Sequence, residues 1–350
     1  MRNIQSMGIV LVVSLLGVWI FNLLHLPVPW LLGPLFFVLI SQFFIKTHLY
    51  WPSSFRNIGL IVIGISVGQS FQFHFFENMG RLIGIMLSMN VMIALFSLLL
   101  AYGLVKAGHI SLKTAMTCTV PGGLSQIVAF AEEEKEIDLA VVTYFHVVRV
   151  ITIVLGIPLL LHAHAAGGGK GADFSLSSFA ELVLLLVVAA GSVWVGKKLK
   201  IPVPYFLSPL LLVIGMQILS FETPEVPGGL LHIAQLMMGA YIGQLLTPKM
   251  LVLGKRIVLL GVATTILLML FTIGQGWILM KMMGYSLATS ILGTAAGGLD
   301  QMSLLASAIG ADVTIVTIFQ MFRILFVFII VLPLLKAFCR HIDERDTGRI

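Results

Sequence analysis

Two stretches 175 residues apart carry residue types that an apolar chain has little reason to keep: "VPGGLSQ" at 120–126 and "AAGGLDQ" at 295–301. Glycine pairs with polar neighbours make poor helix interiors. Pro121 removes a backbone donor and bars the preceding residue from helical geometry, after which Gly122 and Gly123 can turn the chain sharply. A helix interrupted inside lipid frees carbonyls at one end and amides at the other, and these serve as ligands for ions and anions. The candidate binding residues are therefore Gly122, Gly123, Ser125 and Gln126 in one stretch and Gly297, Gly298, Asp300 and Gln301 in the other. The competing reading is that the glycines only let helices pack closely. Asp300 stands where the first stretch has Ser125, and a carboxylate in an apolar run costs roughly 2.5–3.5 kcal/mol. A bound proton, a sodium ion or an arginine offsets that cost; a helix-capping role is the alternative.

Arg149 and Arg323 each fall near the middle of a long apolar span, where snorkelling to an interface is hard. One turn before them come His146 and Gln320, and before those Thr143 and Thr317, so each span carries a polar stripe at helical spacing. Two readings stay open. The guanidiniums face a cavity and bind a carboxylate- or phosphate-bearing solute, or they tie down carbonyls freed by the glycine breaks, with one neutralised by Asp300. Gln69 and Gln244 follow "GISVG" and "GAYIG", where glycine spacing marks helix packing; they are the outermost candidates for the site. No catalytic residue is expected.

These residues need spans to hold them. Of 350 residues, 59% are hydrophobic and 10% charged, against about 25% charged in soluble domains. The apolar residues come in blocks of roughly twenty, as membrane-spanning helices do. The net charge of +6 sits in the loops between blocks, so it reads as a topology signal rather than a nucleic-acid surface. Cys118 and Cys339 are the only cysteines and the nine histidines are scattered, so neither a disulfide framework nor a metal site is expected. The N-terminus begins basic and apolar but lacks a small-residue cleavage pattern, and reads as a retained first span.

The chain repeats itself. Residues 18–42 lie over 193–217 with 11 of 25 positions identical, "GISVGQ" lies over "GAYIGQ", and the two glycine stretches coincide in the same register. The expected organisation is a first repeat over 1–161, a Gly-rich linker over 162–177, a second repeat over 178–338 and a cytoplasmic tail over 339–350. Each repeat has six apolar elements. If all six crossed, the basic loops would fall on both sides of the membrane. If one element per repeat fails to cross, 16 of the 21 Lys and Arg lie on the cytoplasmic side, three lie outside and two are embedded. The expected fold is thus an all-α polytopic membrane protein of two inverted repeats, each of about five crossings plus one Gly-Gly broken or re-entrant helix. Both termini are expected in the cytoplasm.

With "GGLSQ", "GGLDQ", "PVPWLLGP" and the duplication in hand, the chain resembles the AbrB-type bacterial membrane proteins along essentially its whole length. That family carries labels such as ammonia monooxygenase and regulator. The resemblance implies the bacterial cytoplasmic membrane, and the architecture is similar to glutamate- and citrate-type secondary transporters as an analogy of fold. Three functions compete. An ion-coupled secondary transporter of a small, anionic solute accounts for the repeat, the breaks and the embedded charges together. A membrane monooxygenase needs clustered copper ligands that the histidines do not supply. A membrane regulator needs a partner, since the loops and tail are too short for an output domain. No cofactor is expected beyond a coupling proton or sodium ion. The expected partners are the lipid bilayer and the solute, with a homo-oligomer left open and nucleic acid not expected.

Overall fold

The computed structural model describes residues 2–45, 49–71, 79–134, 136–161 and 176–347, and the regular structure among them is entirely helical. The first half supplies α1 (Arg2–Leu23), α2 (Pro29–Phe44), α3 (Ser53–Gln69), α4 (Met79–Gly108), α5 (Leu112–Thr119), α6 (Leu124–Glu133) and α7 (Leu139–Leu160). The second supplies α8 (Leu176–Lys198), α9 (Pro204–Ile218), α10 (Gly228–Gly243), α11 (Lys255–Met283), α12 (Leu287–Thr294), α13 (Leu299–Ala308), α14 (Val313–Phe326) and α15 (Leu332–Thr347). Among the described residues seven helices are long and apolar enough to cross a membrane, and α2 and α9 are shorter apolar ones. The surface is the reverse of a water-soluble protein's. Trp19, Leu99, Leu184 and Leu270 are exposed, whereas Ser14, Thr117, His146 and Gln320 are completely buried. The chain is an all-α polytopic membrane protein.

The helices gather into two compact units, and each draws on both sequence halves. The first comprises residues 1–74, 155–247 and 303–314, and the second comprises 75–154, 248–302 and 315–350. Of the expected linker, residues 162–175 lie outside the described residues, and α8 begins at Leu176. The expected tail is helical as far as Thr347, continuing α15.

In the first unit the two "PVP" segments make matching tight turns. Val28 and Val203 sit left-handed at φ 46° and 48° between prolines, and each precedes the proline that opens a helix. A β-branched residue is costly there, yet both halves keep it. The turns fold α1 onto α2 so closely that a Cβ on Gly17 or Gly33 would fall 2.6 Å from the other's carbonyl carbon. The GxxxG helices then cross between halves. Gly64 and Gly68 of α3 lie on Phe206, Leu210 and Val213 of α9, and Gly239 and Gly243 of α10 lie on Leu31, Leu35 and Val38 of α2. These glycines are packing surfaces.

In the second unit α4 and α11 are the longest helices, at 30 and 29 residues. Phe96 stacks on Phe271 with ring centroids 4.2 Å apart, and Gln275 Nε2 donates to Met89 O at 2.9 Å. Against this pair stand the two interrupted elements, α5–α6 and α12–α13. Ser111 and Ser286 cap their starts by accepting from Thr114 N and Thr289 N. The helix then stops at Val120 and Ala295, both extended, and resumes after the second glycine. One correction concerns the glycines. Gly123 sits at φ −68°, ψ 135°, and neither break contains a positive φ, so these backbone angles are open to any residue. The break is sharp, but its glycines matter for space rather than for angles, and only at Gly122, Gly297 and Gly298, where a Cβ would meet a side chain closer than 3.0 Å.

Candidate functional site

Both breaks are clamped from the following span, and the clamps correspond residue for residue. Arg149 on α7 donates from Nη1 to Val120 O at 2.9 Å and from Nη2 to Gly122 O at 2.8 Å. Arg323 on α14 donates from Nη1 to Ala295 O and from Nη2 to Gly297 O, the latter at 2.7 Å. One turn earlier, His146 Nε2 pairs with Thr117 O at 3.0 Å. A carbonyl only accepts, so that nitrogen carries the proton and Nδ1 is left as a buried acceptor with no partner. Gln320 does more in the second half. Its Nε2 donates to Leu292 O, Gly293 O and Ala295 O, and its Oε1 accepts from Arg323. The polar stripes of α7 and α14 are thus the partners of carbonyls that a broken helix cannot satisfy itself.

The electrostatics follow from those bonds. Both arginines are 4% exposed, each spends its terminal nitrogens on neutral acceptors, and each keeps a buried Nε without a partner. At each break a guanidinium faces the carbonyl end of one short helix, and the amide end of the next begins just past the second glycine. Taking about half a charge for each helix end, the net charge per break is roughly +1 before any acidic residue is counted. Asp300, in the first turn of α13, brings one carboxylate to the second break, where its Oδ2 accepts from Gln301 Nε2 at 3.2 Å. The side chain of the matching Ser125 lies outside the described residues, though its backbone is within α6.

Gln126 and Gln301 fold back over their own glycines, and Oε1 of each is buried without a partner. A Cβ on Gly298 would collide with Gln301 Oε1 and stand 2.8 Å from Asp300 Oδ1. On Gly123 it would meet Gln126 Oε1 at 3.4 Å, an ordinary contact. Gly122 and Gly297 are closed by Ile127 and Met302 respectively. Beside the first clamp a crevice of about 10 Å³, bounded by Cys118, Thr119, Arg149 and Thr265, has room for one water.

Gly122, Gly123, Gln126, His146, Arg149, Gly297, Gly298, Asp300, Gln301, Gln320 and Arg323, with the backbone of Ser125, all fall in the second unit. Gln69 and Gln244 belong to the first unit and are occupied locally. Gln69 Nε2 donates to Pro224 O at 2.6 Å, and Gln244 exchanges two 2.7 Å bonds with the backbone of Trp51. Sequence reasoning missed a lysine. Lys113, 3% exposed in the first turn of α5, pairs with Glu136 at 3.0 Å, and Lys336 pairs with Glu133 at 3.7 Å. The acidic run 132–138 reads as a solvated face, and Glu133 and Glu136 do keep exposed side chains, while Glu136 also ties the run to the start of the first interrupted element. Its lack of a duplicate in the second half was the available signal. Among the described residues no three His, Cys, Asp or Glu side chains gather as a metal site would need.

A family model described as "Transition state regulatory protein AbrB" matches residues 30–339. The chain is 26% identical over 375 residues to the "Uncharacterized protein YhjN" of Bacillus subtilis (strain 168), covering 95% of this chain and 94% of that one. It is 25% identical over 324 residues to the "Putative regulator AbrB" of Escherichia coli (strain K12), covering 91% and 92%.

Proposed function

This chain belongs to the AbrB family, and from the paired, clamped helix breaks we propose that it is an ion-coupled secondary transporter of a small anionic solute. The observation that carries the reading is the repeated clamp: in both halves an intramembrane arginine spends its two terminal nitrogens on the carbonyls of a Gly-Gly break. A structural span has no need of a break, and a break that is kept twice and satisfied twice supports a site. Helices of eight and ten residues reach about 12 and 15 Å, roughly half of the ~30 Å hydrocarbon core. That length supports a break near the midplane, and the bonds of Ser111 and Thr114 at the start of α5 to Glu136 and Asp138 beyond α6 support an element that enters and leaves by one face. Repeats of inverted orientation fit this reading, and the bias of lysine and arginine supports both termini on the cytoplasmic side of a bacterial membrane.

The two breaks divide the work. At the first, Arg149 and the amide end of α6 supply positive charge that an anionic solute satisfies. At the second, Asp300 brings a carboxylate into the first turn of α13, and it takes the coupling proton or sodium ion. The name of the Escherichia coli relative supports a second reading, a membrane regulator acting through a partner. Reconstituted protein separates them. Uptake of a carboxylate or phosphate solute into proteoliposomes, dependent on a sodium or pH gradient, is the expected result; ligand stabilisation in a thermal-shift screen of small anions identifies the solute class beforehand. No stabilisation and no flux with any small anion, together with a co-purifying protein, would establish the regulator instead.

A further inference from the structure

The first compact unit carries a second feature that the clamped breaks do not explain. A groove of about 530 Å³ runs along α1 from Ile4 to Leu15, walled by Trp30, Trp51, Phe55 and α10 from Ile233 to Met237. Its rim is exposed, with Ile4, Leu11, Leu15 and Ile233 all open to the surroundings. Its walls are fixed. Trp51 is 5% exposed and its indole donates to Met237 O at 3.1 Å, and Trp30 stacks on His232 with ring centroids 4.9 Å apart. Gly8 leaves open space at its lining, with nothing within 4 Å of where a Cβ would stand.

Length and charge decide what belongs there. The eleven helical steps from Ile4 to Leu15 span about 16 Å, the depth of one leaflet of a ~30 Å hydrocarbon core. The lining is apolar throughout, which suits a hydrocarbon chain. Arg56 follows Phe55 in α3, its guanidinium 4.8 Å above the ring of Tyr241, one turn beyond Met237 on α10. Its hydrogen bond goes to the neighbouring Asn57, and its buried Nε has no partner. The Tyr50 amide donates to Ser6 Oγ at 2.9 Å, which puts the chain leading into α3 beside the N-terminal end of α1. A half-buried cation paired with no carboxylate, at the end of a groove one leaflet deep, is complementary to a phosphate. We propose that this groove holds one acyl chain of an anionic phospholipid, with the phosphate on Arg56.

The test uses full-length protein in nanodiscs of phosphatidylglycerol mixed with phosphatidylcholine, with retained lipid counted by native mass spectrometry. The wild type retains one phospholipid and prefers phosphatidylglycerol about fivefold, the scale of one basic side chain at an anionic surface. Arg56→Gln keeps a lipid and loses the preference. Gly8→Phe fills the open space, loses the retained lipid, and unfolds in detergent at the wild-type temperature. Equal retention by Gly8→Phe, or no headgroup preference in the wild type, overturns the proposal. So does a dimer that Gly8→Phe converts to monomer without changing retained lipid, since the occupant is then a second copy of the chain.

Discussion

Compare the two breaks where each is held. At Val120–Gly123 the chain has a proline, two bonds from Arg149 and one from His146, whose other ring nitrogen is buried without a partner. At Ala295–Gly298 there is no proline; Gln320 and Arg323 supply five bonds to carbonyls and are also bonded to each other. Both arrive at a helix end, four residues outside helix and a new helix start. Proline stiffens the first by removing a donor and fixing φ, while hydrogen bonds stiffen the second. The shared outcome by different means indicates that the break itself is what the fold preserves. The first break is the less braced and brings no carboxylate of its own in its GGLSQ run, so under the proposed function it is the one that takes the solute.

The largest effects should come from the arginines. Arg149→Met and Arg323→Met should each abolish uptake and lower stability, at about 1–3 kcal/mol for each carbonyl left unpaired. The lysine variants sharpen the comparison, because an ammonium is a point charge and does not reproduce the guanidinium fork. Arg323→Lys keeps the three bonds of Gln320, whereas Arg149→Lys keeps only that of His146. The thermal midpoint should therefore fall further for Arg149→Lys. Equal falls would mean that Gln320 adds no bracing and that the breaks are mechanically alike.

Next in size is the carboxylate. Asp300→Asn keeps shape and hydrogen bonding but removes charge and titration. Counterflow exchange of solute should survive while dependence on a sodium or pH gradient is lost. The double exchange Ser125→Asp with Asp300→Ser should restore part of that dependence if the two breaks are interchangeable supports for a charge. Gradient-dependent uptake in Asp300→Asn itself would end the division of labour between the breaks.

Much of this was legible in the sequence, for identifiable reasons. Twenty-residue apolar runs fix the spans, so α4, α7, α8 and α11 fall where hydropathy places them, and the register of GGLSQ over GGLDQ locates both breaks. The arginines could be placed beside the breaks because Thr–His–Arg and Thr–Gln–Arg recur at helical spacing. Which of their two roles the geometry favours was not legible, since a guanidinium's partners are backbone carbonyls that leave no trace in residue type. Nor was the gathering of α3 with α9 and α10 with α2, which rests on shape matching between residues far apart in the chain. Glycine misled in one respect. Its φ can be positive, but here what matters is the absence of a Cβ.

That last point gives a smaller and more selective test. At Gly298 an alanine Cβ would displace Gln301 and Asp300, both flexible side chains, so stability should change by less than about 1 kcal/mol. Uptake should nonetheless fall several-fold and its ion dependence weaken, because those two side chains are the ones moved. Gly123→Ala, with an ordinary contact to Gln126, should behave as wild type. Loss of uptake in Gly123→Ala alone would reverse the assignment of the more crowded break.

The smallest expected effect tests the division between the compact units. Gln69 and Gln244 occupy matching positions after GxxxG runs, and from sequence either could line a polar path. Both instead fasten the chain locally in the first unit: Gln244 to the backbone of Trp51, and Gln69 to Pro224 O and the amide of Val226. A side chain used in this way contributes about 0.5–1.5 kcal/mol per bond, and more is lost when a buried partner is left unpaired. Gln69→Met and Gln244→Met, which keep length and remove hydrogen bonding, should therefore lower the thermal midpoint modestly. The KM for solute should stay at the wild-type value, because the clamped carbonyls and the helix starts that follow them all lie in the second unit. A several-fold rise in KM with an unchanged midpoint would show these glutamines in contact with the solute, and the site could then no longer be assigned to the second unit alone.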